Sequence, residues 1–149
     1  MSKSLSNLNS KTPDGYRPGG KSYKLMVVED KDFQRKQIVQ ILESEEYEIV
    51  AVAENGRDAL NQLQKLYEKG KQVDLMTVNL DMPVLDGYAL MCELQGLSKK
   101  PLVAFLSEDT SVGVMQDLVK MGIADYILKP LNRKVLLDRV KAVLVKHNV

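Results

Sequence analysis

Five short apolar runs, each followed by a stretch with apolar residues at helical spacing, dominate the chain from residue 23 onward. Tyr23 to Val28 ends in Glu29 and Asp30 and precedes Phe33, Ile38, Ile41 and Leu42. Tyr47 to Ala53 is followed by the turn signal Asn55-Gly56, then by Leu60, Leu63 and Tyr67, with Gly70 placed to end that helix. Val73 to Val78 leads through a loop, Asp81-Met82-Pro83 to Asp86-Gly87, into Leu90, Met91 and Leu94. Leu102 to Leu106 precedes Val114, Met115, Leu118 and Val119, and Ile123 to Leu128 precedes Leu136, Val140, Val143 and Leu144. Strands that are apolar at successive positions need cover on both faces, and parallel strands need long crossovers, which helices supply. The pattern predicts an α/β domain: a doubly wound five-stranded parallel sheet with right-handed crossovers.

A length of 149 residues, 44% of them hydrophobic, suits one core and excludes a multidomain enzyme. Residues 1–22 are rich in Ser, Asn, Lys, Gly and Pro and are expected to be a flexible tail without assigned function, leaving 23–149 as the domain. The net charge of +1, from 21 Lys and Arg against 20 Asp and Glu, gives no general pull toward nucleic acid or an anionic membrane. No apolar stretch approaches the roughly 18 residues that a membrane helix needs, and no leader pattern is present. The expectation is a cytoplasmic protein with no direct nucleic-acid contact and no membrane insertion. Cys92, the single cysteine, sits among Leu90, Met91 and Leu94 and is expected to be a packing residue. The one histidine, His147, lies near the end of the chain, so Ser-His, Cys-His and His-based zinc chemistry lack their central residue.

Doubly wound sheets carry their sites outside the carboxyl ends of the strands. The residues there are Glu29, Asp30, Asn79, Ser107 and Lys129. Singly, each has an ordinary reading: an acid pair favours a helix N-terminus, a serine caps one, and a lysine before proline is a surface charge. Together, two acids, a hydroxyl and an ammonium at one mouth form a site for a dianionic group beside a hard cation such as Mg²⁺.

Val27-Val28-Glu29-Asp30, the segment Asp74 to Gly87, Ser107 after the fourth strand, and Tyr126-Ile127-Leu128-Lys129-Pro130 together resemble the receiver domain of two-component response regulators, in its single-domain, chemotaxis-regulator-like form. The resemblance covers about Tyr23 to His147. It implies a flavodoxin-like sheet of order 2-1-3-4-5 that takes a phosphoryl group from a histidine kinase or phosphotransfer protein onto an Asp at the end of the third strand. It further implies Asp30 as the main carboxylate on Mg²⁺, Glu29 as its supporting acid, the backbone carbonyl of Asp81 as a further ligand, and Ser107 and Lys129 on phosphoryl oxygens. Tyr126 would be the aromatic switch, and the Lys129-Pro130 peptide would be cis.

The pattern is broken where the chemistry is centred. Counting back from Met82-Pro83, the acceptor position of the family holds Asn79, and a neutral amide is a very poor nucleophile toward phosphorus. Asp81 is expected at the rim, and Thr77 lies on the same face but deeper, a remote alternative acceptor. One carboxylate fewer should weaken Mg²⁺ binding. Glu108 after Ser107, where the family has a small residue, and Asp81 both add negative charge at the rim. Two origins fit Asn79: a natural receiver that signals without Asp phosphorylation, or an Asp-to-Asn variant locked unphosphorylated. Deamidation of Asn79 is a minor third route.

The chain ends with the last helix, so output is expected through protein–protein contact with a downstream target. The resemblance implies the face of the fourth helix, fifth strand and fifth helix, where Asp125, Arg133, Lys134, Asp138, Arg139 and Lys141 supply mixed charges for a target or a homodimer. Two other readings stay open: a phosphorylation-competent, Mg²⁺-dependent receiver in a parent form with Asp in place of Asn79, and a flavodoxin-like small-molecule binder. The second lacks a glycine-rich phosphate loop after its first strand.

Overall fold

A computed structural model describes residues 12–82 and 84–149. Five strands, β1 (Lys24–Val28), β2 (Glu48–Ala53), β3 (Leu75–Asn79), β4 (Leu102–Ser107) and β5 (Asp125–Leu128), alternate with five helices. These are α1 (Asp32–Glu43), α2 (Gly56–Glu68), α3 (Gly87–Leu94), α4 (Val112–Lys120) and α5 (Arg133–Lys146). All strand pairs are parallel, as the sequence pattern predicts, and their order, β2-β1-β3-β4-β5, is the one that the family resemblance implies. Three helices start on side-chain caps that occupy an otherwise unpaired first-turn N–H: Asn55 accepts from Asp58, Asp86 from Ala89 and Asn132 from Val135.

Strand alternation divides the core in two. Met26, Val28, Met76, Val78 and Phe105 pack with Ala59, Leu63, Leu90, Leu94 and Leu118 on the side of α2, α3 and α4. Leu25, Val27, Leu75, Leu106 and Ile127 pack with Ile38, Leu42, Leu136, Val140 and Leu144 on the side of α1 and α5. The register aligns the ends of the strands. Val28 pairs with Ala53 and Val78, Asn79 with Leu106, and Ser107 with Leu128.

Some expected core residues face outward. Phe33 is 79% exposed, because the buried stripe of α1 is Ile38 and Leu42 and Phe33 lies five residues ahead, around the helix. Val119 is 65% exposed, one step round α4 from its buried Leu118. Cys92 is exposed rather than packed, since α3 buries Gly87, Leu90, Met91 and Leu94 and places Cys92 on the opposite side.

Residues 1–11 lie outside the described residues, but 12–22 form a small hairpin fastened beneath the sheet. Arg17 N–H donates to the Lys21 carbonyl, Tyr16 bridges Ser22 antiparallel, and Gly19 and Gly20 supply the left-handed turn with φ of 104° and 96°. Gly15 donates to the Glu45 carbonyl at 2.7 Å and accepts from Tyr23 N–H at 2.7 Å. A Cβ on Gly15 would lie 2.2 Å from the Glu46 carbonyl carbon, so only glycine permits this approach. Arg17 closes the hairpin down: its guanidinium stacks 5.0 Å from the Tyr23 ring centre and bonds the buried Asp74 carboxylate at 2.6 Å.

Candidate functional site

Strand parity puts Glu29, Asn79 and Lys129 on the α1/α5 side of the sheet, each at or one step beyond a strand's end. Their backbones are held there: Glu29 N–H donates to Ala53, Leu80 N–H to Leu106 and Lys129 N–H to Ser107, at 3.0, 3.0 and 2.8 Å. Glu29 is wholly buried and Asn79 is 4% exposed. The Asn79 amide Nδ2 donates to Glu29 Oε2 at 3.0 Å, to Asp30 Oδ1 at 2.9 Å and to the Asp81 carbonyl at 3.1 Å. The other Glu29 oxygen accepts from Lys129 Nζ at 3.2 Å, and Nζ also donates to Gln34 Oε1 at 2.9 Å. A buried carboxylate is therefore flanked by an ammonium and an amide, and its Oε2 also accepts from Lys31 N–H at 3.2 Å, the arrangement that burying a charge demands.

Asp30 is half-buried. Partial burial pushes its carboxyl up, but hydrogen bonds on the Glu29 and Asn79 sides, its own backbone N–H and the Lys31 ammonium outweigh that and hold it below the ordinary range. The Lys129-Pro130 peptide is cis. Asp81 contributes its carbonyl while the residue itself is exposed at the rim.

Ser107 stands apart. It is buried, and its hydroxyl accepts from Asp109 N–H at 3.0 Å, while among the described residues no side-chain hydrogen bond joins that hydroxyl to Asn79 or Lys129. Tyr126 is half-buried, with its hydroxyl donating to the Asp109 carbonyl at 2.7 Å, so Ser107, the last residue of β4, and the aromatic of β5 are tied through one loop. Thr77 is wholly buried between Val27 and Ala104 of the adjacent strands, with its hydroxyl unpartnered, which removes it from any reagent at the mouth. Deamidation of Asn79 requires attack by the Leu80 nitrogen, and that N–H is fixed in the β3–β4 ladder.

Two contributors were not legible in the sequence. Gln34 accepts from Lys129, and Arg35 donates to the Glu29 carbonyl at 2.9 Å while pairing with Asp32. Both sit on the first turn of α1, where a polar residue reads as a solvated helix face. The paired-acid-then-helix arrangement at the mouth was the available signal, since it points the first turn of α1 into the site.

Among the described residues no group of three His, Cys, Asp or Glu side chains gathers as a metal site. The oxygens of Glu29, Asp30 and Asp81 are of the kind that Mg²⁺ prefers, but the point on which they converge is filled by Asn79 Nδ2. The arrangement as folded therefore does not fit a cation there.

The charged residues of α5 and β5 are largely spent within the chain. Arg139 grips Asp125 through two nitrogens, one bond at 2.7 Å, and Lys134 pairs with Asp138 at 2.7 Å. Arg133 donates to Ser44, and Lys141 pairs with Asp14 of the hairpin at 3.3 Å. Beside the exposed Gln116, Asp117 and Lys120 of α4, this face also exposes apolar side chains: Val112 and Val119 of α4, Leu128 of β5 and Val135 of α5.

The family model of the response regulator receiver domain matches residues 25–141. The chain is 34% identical over 137 residues to the chemotaxis protein CheY of Treponema pallidum, covering 92% of this chain and 93% of that one. It is 32% identical over 123 residues to CheY of Listeria monocytogenes, covering 83% and 96%. A CheY of Borrelia burgdorferi, solved in a complex with CheX, BeF₃ and Mg²⁺, superposes with a TM-score of 0.83 at 27% identity over 90% of this chain and 98% of that chain. A strand order of 2-1-3-4-5, acids, amide and lysine drawn together at its carboxyl edge, and these likenesses over nearly the whole sequence lead to one conclusion: the chain belongs to the response regulator receiver family of two-component signalling and is CheY-like.

Proposed function

We propose that this chain is a stand-alone receiver that carries a two-component signal by protein–protein contact, with phosphoryl transfer blocked at the end of β3. The observation that carries the reading is the Asn79 amide, whose nitrogen faces Glu29, Asp30 and the Asp81 carbonyl where a nucleophilic carboxylate would be needed. The module is not an enzyme in its own right. Its upstream partner is a histidine kinase or phosphotransfer protein, its downstream partner a target protein, and its compartment the cytoplasm. No helix among the described residues is long and apolar enough to cross a membrane. The chain spans nearly the whole length of the CheY relatives.

Output runs through α4, β5 and α5. Tyr126, the switch residue implied by the family, has its hydroxyl anchored on the Asp109 carbonyl, so the link between the pocket loop and this face is made without a phosphoryl group. The pairing of Asp125 with Arg139 and of Lys134 with Asp138 leaves the apolar residues of α4 as the contact surface for a target or a second copy. Any Mg²⁺ binding is weak. Amide NMR titration with Mg²⁺ and beryllofluoride, run on this chain and on Asn79→Asp, tests the reading: only the Asp form should respond, with shifts spreading from Ser107 and Lys129 to Tyr126. A response of the unsubstituted chain, or its labelling by acetyl phosphate, overturns it.

A second reading, a phosphorylation-competent parent with Asp at this position, is favoured by the intact Glu29–Lys129 pair. Labelling of Asn79→Asp by acetyl phosphate in the presence of Mg²⁺ supports it.

A further inference from the structure

Three oxygens from two loops converge on a single atom. Glu29 and Asp30 come from the connection between β1 and α1, Asp81 from that between β3 and α3, and Asn79 Nδ2 lies 2.9–3.1 Å from each. An amide nitrogen carries two hydrogens, so three acceptors exceed its capacity for separate bonds and one hydrogen is shared. Turning the amide over would set Oδ1 against two carboxylates and a carbonyl, so the network that draws the nitrogen inward also excludes the oxygen. Glu29, with no exposed surface, is compensated by Asn79 on one oxygen and Lys129 on the other, and Lys129 extends the chain of bonds to Gln34 on α1.

We propose that Asn79 Nδ2 takes the place of a divalent cation in this protein: the amide ties the two loops together from within, and the pocket assembles without metal. The proposal rests on the reading above that no phosphoryl group is transferred to β3, and it supplies the regulation of that site, which becomes independent of Mg²⁺. A Mg²⁺ ion at the centre needs oxygens at about 2.1 Å. Each oxygen would have to close in and the amide would have to leave, so metal affinity is set by competition with Asn79. An Asn79 that served as an oxygen ligand would act oppositely, adding to the affinity.

The test uses the full chain, Asn79→Ala and Asn79→Asp, with Mg²⁺ binding by calorimetry and thermal melts in EDTA and in millimolar Mg²⁺. The unsubstituted chain is expected to melt at the same temperature in both buffers. Asn79→Ala, freed of the competing amide, is expected to bind Mg²⁺ about tenfold more tightly than its parent, on the order of 1.4 kcal/mol. Asn79→Asp is expected to melt lower than its parent in EDTA, where three carboxylates meet, and to recover in Mg²⁺. Equal or weaker Mg²⁺ binding by Asn79→Ala overturns the proposal, as does a Mg²⁺-induced rise in the parent's melting temperature as large as that of Asn79→Asp. Should Asn79→Ala not fold, the side-chain amide resonance of Asn79 decides: protected from exchange and unmoved by Mg²⁺ supports the proposal, and displacement by Mg²⁺ overturns it. A beryllofluoride response of the unsubstituted chain bears on the blocked-transfer reading alone, so the two failures are told apart.

Discussion

Thr77 and Tyr47 each bury a hydroxyl with no partner, and the cost of that is measurable. Replacing Thr77 by the isosteric Val removes an unsatisfied donor from an apolar strand interior and is expected to stabilise the fold by about 1 kcal/mol in urea denaturation. Tyr47 adds a pH dependence. Burial first, then the charges of Asp14, Tyr23 and Glu45, push its phenol far above the ordinary value. Because the folded state holds the proton more tightly than the unfolded one, its contribution is fully present below the unfolded tyrosine pKa of about 10 and is lost as pH rises above it. Tyr47→Phe is expected to flatten the alkaline fall in stability seen by denaturation at pH values above about 10. Val84 carries backbone strain: it is β-branched, 78% exposed and at φ 71°, a conformation suited to Gly or Asn. Val84→Asn is expected to raise the melting temperature, corresponding to about 1 kcal/mol.

Among the elements, the hairpin of residues 12–22 shows where sequence reading stops. Its composition reads as a solvated leader, but the partners that order it, Glu45, Asp74 and Lys141, are 31 to 127 residues away. Local pattern cannot carry such information. Arg17→Ala is expected to cost about 3 kcal/mol in chemical denaturation, because it leaves the Asp74 carboxylate buried beside the start of β3 with only the Lys24 N–H. The strands and helices themselves were legible because each has a strong apolar period, and three of the helices start on a cap. The outward turn of Phe33 was not, since several apolar residues at roughly helical spacing admit more than one stripe. The acids, Asn79 and Lys129 were found because the apolar runs stop where the sheet ends. Gln34 and Arg35 were hidden by the ordinariness of polar residues on a helix.

For the whole molecule, the distribution of charge over the α4–β5–α5 face sets the character of docking. A surface whose ion pairs are closed internally has little to offer a charged partner, so association through it should depend weakly on salt. Val119→Glu on α4 is expected to reduce binding to a second copy or target at least tenfold, on the order of 1.4 kcal/mol, while leaving the melting temperature within experimental scatter. Sedimentation and a thermal melt check the two halves. The strand order has a consequence for synthesis. β1 finds both of its neighbours, β2 and β3, before β4 has been made, so a nascent chain can close a three-stranded sheet early. Glu29, Asp30 and Asn79 therefore meet while Lys129 is still to be translated. On the ribosome, the amide is what compensates the buried acid until the lysine arrives.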